Sequence, residues 1–526
     1  MSGREKVVHG ALWFWRTVFL PVWGSIARIT PRSPSTWIDP SEDPVRHIFV
    51  LMLENRSFDQ VLGAFKDDGE YAALEGIDAK RLYSNFDGAG NKYVQAPSED
   101  DRAPFDPDHE FPGVAEQLAD DHAGFVRNFE ETHPLATREQ RQCVMNYFPK
   151  GSLAAMHWLA ENFTICDHWF SSVPGPTWTN RLFLMSGTSM GRTEMGSREN
   201  PDGFLGYDQR SIFDLLEDKG IPWRIYFHDF PQSWLLHRQL LQRRKFDNYR
   251  PLSDTEGNNL FEADLKNEGA NFPRFCFIEP QYFEPGQNDD HPTSSAAAAQ
   301  ALIARVYNAI RSQEDVWKSS LLLVLYDEHG GFFDHVPPPK AVAPAVPKDY
   351  TFKDKGAPCP FTSLGVRVPA VLVSPWVEKG VFQETLDHTS LLKYACKKWK
   401  LPFLTSRVEQ ANDFGRAIHF PFRKVPDTRI EVPFRAEMRA QASAPGESLL
   451  SNHQEALRGL CARIEAEIPP LSQELPRAKG DIGAMQLQAP QGDSSNEMRS
   501  RTFAILAARG ASQSDNGPSA GQADPK

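Results

Sequence analysis

Two apolar runs of similar length each end in candidate metal ligands. Glu54 and Asn55 follow the run 47–53, and Asp327 and Glu328 follow the run 320–326. Carboxylate and amide oxygens are the ligands that hard divalent cations prefer. An Asp or Glu after a strand is often only a loop residue or a helix cap. Because the pattern occurs twice, we predict that these four residues bind one divalent metal ion of unspecified identity.

A third segment supplies a hydroxyl group. Thr177 follows Pro174-Gly175-Pro176 and precedes an apolar run, which predicts a position at or near a helix N-terminus. The backbone N–H groups and the dipole at such an end favour an anion. Thr is also a common N-cap. A Thr hydroxyl held against a cation loses its proton more readily and can attack phosphorus, so we predict that Thr177 is both a metal ligand and the nucleophile. Arg181, one turn later, is predicted to clamp phosphate oxygens.

Histidines accompany aspartates in three segments rich in Gly or Pro. His109 closes Asp-Pro-Asp-His, His291 lies in Asn-Asp-Asp-His-Pro, and His335 closes Asp-Glu-His-Gly-Gly-Phe-Phe-Asp-His. A lone His is more often structural. Three of them beside Asp predict a site that binds an oxyanion and protonates a leaving oxygen, so we add His109, His291 and His335 to the catalytic candidates.

The elements that position these residues are predicted to form an α/β fold. Continuous apolar runs fit strands that are covered on both faces, as in a parallel sheet, and ligands bind beyond the carboxyl ends of such strands. Strands and helices alternate from about Val45 to Leu401 without a low-complexity linker, which indicates one large domain. Further strands are predicted at 223–227, 274–278 and 366–373, and helices at 151–162, 211–219, 296–317 and 388–399.

Outside this domain the chain divides into three segments. Residues 1–44 form an amphipathic segment and a connector, the catalytic domain spans 45–425, an extension packed on it spans 426–485, and a disordered tail of polar composition spans 486–526. Residues 11–29 are aromatic but interrupted by Arg16 and Pro21, unlike a membrane-spanning helix or a secretory signal. Peripheral membrane contact and docking onto the protein's own domain both stay open for them.

Charge and cysteine content narrow the class of protein. A formal net charge of −12 argues against a nucleic-acid partner, because phosphate backbones are bound by basic faces. The six cysteines show no close pairing, which leaves the redox compartment open. The oligomeric state is likewise open.

Taken together, the motifs resemble the phosphoesterase family that contains bacterial phospholipases C of the non-zinc type and the respiratory-burst-inhibiting acid phosphatase. The resemblance covers roughly His47 to Leu401. It rests on Glu-Asn-Arg-Ser-Phe-Asp at 54–59, Gly-Pro-Thr and Asn-Arg around Thr177, Asn-Asp-Asp-His-Pro at 288–292, the 327–335 segment, and Asp-His-Thr-Ser at 387–390.

This resemblance implies an α/β/α sandwich with a mostly parallel central sheet, similar to alkaline phosphatases, and hydrolysis through a covalent phospho-enzyme. Glu54, Asn55, Asp327 and Glu328 match the family's metal ligands, and Thr177 matches its nucleophile. The three candidate histidines match positions around the phosphoryl group. A Thr at the nucleophile position resembles the phospholipase branch, whereas the phosphatase branch has Ser.

We therefore expect a metal-dependent hydrolase of phosphoric esters that works through a phosphothreonine, with a phospholipase C-type reaction on glycerophospholipids as the leading case. An acid phosphomonoesterase and an inactive membrane-surface binding protein are the alternatives. Exported members of the family usually begin with a twin-arginine signal, which is not visible here, so a cytoplasmic or peripheral membrane location stays open. The sequence specifies neither the head group nor the metal.

Overall fold

The computed structural model describes residues 43–196, 207–242, 248–253, 257–283, 286–344, 360–418, 421–425, 429–432 and 450–467. The amphipathic segment at 11–29 and the tail at 486–526 lie outside the described residues, so both stay predictions. In the described part of the chain, helices are too short or too polar to cross a membrane. The five cysteines in that part are all free.

A sheet of eight strands forms the centre of the described fold. Its strands are β1 (His47–Leu53), β2 (Thr164–Cys166), β3 (Trp223–Phe227), β4 (Tyr249–Pro251), β5 (Phe275–Ile278), β6 (Ser320–Tyr326), β7 (Ala370–Val373) and β8 (Gly380–Phe382). They lie in the order β8-β2-β7-β6-β1-β5-β3-β4. β7 runs antiparallel to both of its neighbours, and the other ladders are parallel.

Helices of seven or more residues are α1 (Phe111–Gln117), α2 (Phe125–Thr132), α3 (Ala154–Asn162), α4 (Thr177–Ser186), α5 (Ile212–Asp218), α6 (Leu260–Glu268), α7 (Ala296–Arg311), α8 (His388–Trp399) and α9 (Asn452–Glu467). Shorter helices span Phe58–Leu62, Arg138–Arg141, His237–Gln242, Glu314–Trp317 and Ser406–Gln410. Short ladders join Ser84–Phe86 to Lys92–Val94, Ala96–Pro97 to Asn146–Tyr147, and Trp169–Phe170 to Leu386–Asp387.

Every residue of β1 and β6 is buried. Successive strand side chains point to opposite faces, so both faces of the sheet must be covered, which is why these strands are apolar without alternation. The predicted α/β/α sandwich with a mostly parallel sheet is confirmed. Within it, the predicted long helix over 296–317 is wrong as one element. α7 ends at Arg311, and Gln313 leaves helical geometry (φ −106°, ψ 89°) before the short helix Glu314–Trp317 begins.

Candidate active site

The carboxyl ends of β1 and β6 bring the two predicted ligand pairs side by side. Leu53 pairs with Tyr326 at the end of the parallel ladder, so the residues that follow both strands emerge at one edge of the sheet. Asn55 N donates to Asp327 Oδ1 at 3.1 Å, and Glu328 N donates to the same oxygen at 2.7 Å. Glu54, Asn55, Asp327 and Glu328 are buried there.

Arg181 joins the two pairs from α4. Its Nε donates to Asp327 Oδ2 and its Nη2 to Glu54 Oε1, each at 3.1 Å. Further donors reach the Tyr282 hydroxyl and the carbonyls of residues 52 and 53 at 3.4 Å. Although burial lowers the pKa of Arg181, the surrounding negative charge outweighs it and raises that pKa overall. The guanidinium thus holds the ligand carboxylates, and its expected contact with phosphate oxygens stays a prediction.

Thr177 is the first residue of α4, as the sequence predicted. The N-cap of the helix is Pro176, so Thr177 does not cap it. Its Oγ1 donates to Asn55 Oδ1 at 3.3 Å, which brings the hydroxyl to the ligand cluster. Asn180 fixes the preceding loop, because its Oδ1 accepts from Val173 N at 3.1 Å and its Nδ2 donates to Gly175 O at 2.8 Å.

The backbone over the cluster is strained and closely packed. Asn55 has φ +62° and Gly330 has φ +65°, a region that disfavours residues with a Cβ. A Cβ on Gly330 would lie 2.1 Å from Asn55 O. Glycine is therefore required where the 327–335 segment crosses Asn55.

Two of the three predicted histidines lie at this cluster. His109 Nε2 is 3.3 Å from the Asn55 side-chain amide, and the His109 and His291 ring centroids are 6.2 Å apart. Burial alone would lower the pKa of His109, but the Glu328, Asp106 and Glu110 carboxylates outweigh it and raise that pKa to about 10. Burial lowers the pKa of His291 and the neighbouring His109 adds to the shift, although Asp106 and Glu54 oppose it.

His335 lies in a different cluster. Its Nδ1 is 2.8 Å from Asp59 Oδ2, its Nε2 is 3.2 Å from Glu75 Oε1, and its ring stacks on Tyr83 at 4.9 Å. Arg367 completes that cluster through Asp59 at 3.0 Å and Asp334 at 2.8 Å. Both ring nitrogens of His335 face carboxylates, and its predicted place beside the phosphoryl group stays a prediction.

Three further side chains hold the site. His388 opens α8, accepts from Trp169 Nε1 at 3.2 Å and donates from Nε2 to Asp327 O at 2.6 Å, while burial lowers its pKa to about 4. Gln232 Nε2 donates to Glu54 Oε1 at 3.2 Å, and His453 Nδ1 of α9 lies 3.0 Å from Glu54 Oε2. The Asp-His-Thr-Ser motif could have pointed to His388. Gln232 and His453 lie in no motif.

The cluster has the donor chemistry of a cation site. Burial raises the pKa of Asp327 and Glu328 to about 7, with neighbouring carboxylates adding to the shift. Burial also acts to raise the pKa of Glu54, but His453 and Arg181 lower it to about 2. Among the described residues, Glu328 Oε1 is buried without a hydrogen-bond partner, and Glu54 Oε2 is faced by His453 Nδ1 at 3.0 Å. Such oxygens are costly unless something positive binds them, so these residues fit a divalent cation.

In the described part of the chain, two groups of His and Asp side chains are compact enough to hold an ion. They comprise Asp106, His109 and His291 at the cluster, and Asp59, Asp334 and His335 at the separate cluster. Ligand atoms within each group lie within 4.8 Å of one another. The second group already contains the Arg367 cation, so the first is the better suited to oxyanion or metal chemistry.

Residues 45–402 match the family model described as the Phosphoesterase family. The chain belongs to the Phosphoesterase family. It is 32% identical to non-specific phospholipase C3 of Arabidopsis thaliana, over 75% of this chain and 77% of that protein. It is 27% identical to the non-hemolytic phospholipase C of Pseudomonas aeruginosa, over 73% of this chain and 59% of that protein. Family membership makes the chain a hydrolase of phosphoric esters, as the motifs predicted.

Among solved structures, a phosphonate monoester hydrolase from Silicibacter pomeroyi matches with 12% identity and a TM-score of 0.31, over 53% of this chain and 73% of that one. A protein of the alkaline phosphatase superfamily from Vibrio parahaemolyticus matches with 10% identity and a TM-score of 0.30, over 50% and 65%.

Proposed function

We propose that this protein is a phospholipase C-type phosphodiesterase that acts on glycerophospholipids through a phosphothreonine at Thr177. The observation that carries the proposal is the Thr177 hydroxyl, 3.3 Å from Asn55 Oδ1, at the point where the carboxylates that follow β1 and β6 converge. The names of the relatives, phospholipases C, support the substrate class. A Thr rather than a Ser at this position resembles the phospholipase branch of the family.

Glu54, Asn55, Asp327, Glu328 and Thr177 are the residues that we propose hold a divalent metal ion. Their oxygen donors suit a hard cation, and Glu328 Oε1 lacks a hydrogen-bond partner among the described residues. When bound, such an ion would offset the negative charge that develops on the phosphoryl oxygens. Arg181 and His388 hold the ligands, because their donors are directed at Glu54 and Asp327.

The reaction proceeds in two displacements. Thr177 Oγ1 forms a bond to phosphorus as the bond between phosphorus and the glycerol oxygen breaks. His109, whose Nε2 lies 3.3 Å from the Asn55 side-chain amide, is placed to bind the phosphoryl oxygens. His291, with both ring nitrogens free of hydrogen bonds among the described residues, relays the proton that Thr177 Oγ1 loses to the glycerol oxygen, and diacylglycerol departs. Water then cleaves the phosphothreonine and releases the phosphorylated head group.

Substituting Thr177 tests the nucleophile. Thr177→Val keeps the volume but removes the attacking oxygen, so turnover of a soluble choline phosphodiester should fall by several powers of ten, each power being about 1.4 kcal/mol of barrier. Thr177→Ser should retain measurable turnover. Thr179→Val, at an equally buried position of α4, is the matched control and should stay active. A folded Thr177→Val protein with normal turnover would refute the phosphothreonine.

A substrate panel tests the class of ester. The purified protein is assayed on a glycerophospholipid, a choline phosphodiester and a simple phosphomonoester, each with and without a chelator. We expect the diesters to be hydrolysed faster than the monoester and the chelator to abolish both activities. Preference for the monoester would establish the acid phosphatase alternative, and inactivity on every substrate would favour a binding protein.

A further inference from the structure

Helix α9 (Asn452–Glu467) lies beyond residues 45–402, the part of the chain that matches the family model. It is nevertheless built into the domain. Its apolar side chains are buried in the main core, namely Ala456, Leu457, Leu460, Cys461 and Ile464. Near its N-terminus, Gln454 Nε2 donates to Tyr282 O at 2.7 Å and to Gln287 Oε1 at 3.2 Å. These contacts place the first turn of α9 against the candidate active site.

His453, beside Gln454, reaches Glu54. Its Nδ1 lies 3.0 Å from Glu54 Oε2, both side chains are buried, and neither atom has a hydrogen-bond partner among the described residues. The other oxygen of Glu54 is occupied by Arg181 and Gln232, at 3.1 and 3.2 Å. Among the described residues, His453 thus supplies the side chain that faces Oε2 of the candidate ligand Glu54.

Gln232 determines which nitrogen of His453 carries the proton. Its Nε2 lies 2.7 Å from His453 Nε2 and 3.2 Å from Glu54 Oε1. An amide nitrogen has only hydrogens to offer, so His453 Nε2 accepts and the ring proton lies on Nδ1, towards Glu54 Oε2. Glu54, Gln232 and His453 therefore contact one another in a ring. Gln232 Nε2 donates to Glu54 Oε1, and the N–H group at His453 Nδ1 lies near Glu54 Oε2.

We propose that His453 is a positioning residue that α9 supplies to the active site, where it orients the Glu54 carboxylate toward the metal ion. The inference rests on the proposed metal site. Groups that orient a ligand in this way typically change metal affinity or activity about 10- to 100-fold when they are removed. The segment beyond the family domain would then be required for metal binding as well as for folding.

The test measures metal affinity without turnover. Metal-free full-length protein is titrated with Mn²⁺ and with Ca²⁺ by calorimetry, for the wild type, His453→Leu, His453→Asn and Gln454→Ala. His453→Leu should weaken binding at least ~10-fold. His453→Asn retains an N–H donor near the position of Nδ1 and should restore most of the affinity. Gln454→Ala removes an anchor of α9 that does not touch Glu54, so it should lower the melting temperature and leave the affinity unchanged.

Each outcome decides the question. Wild-type affinity in His453→Leu overturns the role of His453 and leaves the proposed function standing. An equal loss in His453→Leu and Gln454→Ala also overturns it, because α9 would then act only by docking. No binding of either ion by the wild-type protein refutes both this inference and the proposed metal site. His453→Ala serves as a second loss variant if the leucine is not accommodated.

Discussion

Gly330→Ala should inactivate the enzyme by moving one ligand. The added Cβ would lie 2.1 Å from Asn55 O, whereas real Cβ atoms essentially never approach closer than 3.0 Å. The Asn55 peptide therefore has to move by roughly 1 Å, and a displacement of that size in a catalytic group can cost about 10²-fold in rate. Because the Asn55 side chain holds the Thr177 hydroxyl at 3.3 Å, its shift misplaces the nucleophile as well.

The backbone of residue 330 adds a second, separable cost. Its φ of +65° is unfavourable for alanine, by about 1–2 kcal/mol of folding free energy. Gly90 is the matched control, since its φ is +80° but no described atom lies within 4 Å of the position that a Cβ would take. Gly90→Ala should lose similar stability in urea denaturation and keep full turnover. Gly330→Ala should lose that stability and about 10²-fold in kcat/KM on a soluble phosphodiester. Normal kcat/KM in a folded Gly330→Ala protein would refute the close approach to Asn55.

Two further predictions concern buried charge. Arg181→Met leaves Glu54 and Asp327 without their shared cation, so the free energy of unfolding, measured in urea, should fall by about 3–5 kcal/mol. The control, Arg127→Met, breaks an exposed ion pair and should change that free energy by less than about 1 kcal/mol. Equal effects of the two substitutions would contradict the bridging role of Arg181. Burial lowers the pKa of His157 to about 4, and its neutral ring accepts from Gly151 N and donates to Val61 O. Below pH 6.5, the ordinary pKa of His, the unfolded chain binds a proton at His157 that the folded protein does not, so about 3 kcal/mol of stability should be lost between pH 6.5 and 4. This loss should be absent from the stability profile of His157→Gln. An unchanged profile in that variant would assign the loss to other groups.

The parts of the site that could be predicted from the sequence are those set by strand ends. Glu54 and Asp327 each follow an uninterrupted apolar run, and parallel strands place their carboxyl ends at one edge of the sheet. Thr177 could be placed because proline and glycine before an apolar run indicate a helix start. Local patterns suffice where each residue's position follows from its own element.

Local patterns do not suffice where position depends on distant partners. The Asp beside His335 predicts a catalytic histidine, and the contacts that hold Asp334 and His335 come from Asp59 and Arg367, in other parts of the chain. His453 has no motif to mark it, and its contact with Glu54 arises only because α9 docks against the core. A histidine's neighbours in sequence do not specify which cluster its ring joins.

The two buried clusters differ in a way that separates chemistry from structure. In the cluster of Asp59, Asp334, His335 and Arg367, every buried side-chain nitrogen and oxygen has a hydrogen-bond partner, as expected for a network that only stabilises the fold. The other cluster leaves an oxygen of Glu328 and both ring nitrogens of His291 without such partners in the described part of the chain. Unsatisfied buried groups of this kind cost stability, and they persist in proteins mainly where a function requires them. This difference favours the edge of β1 and β6 as the place of the proposed chemistry, and the catalytic role of His335 stays a prediction.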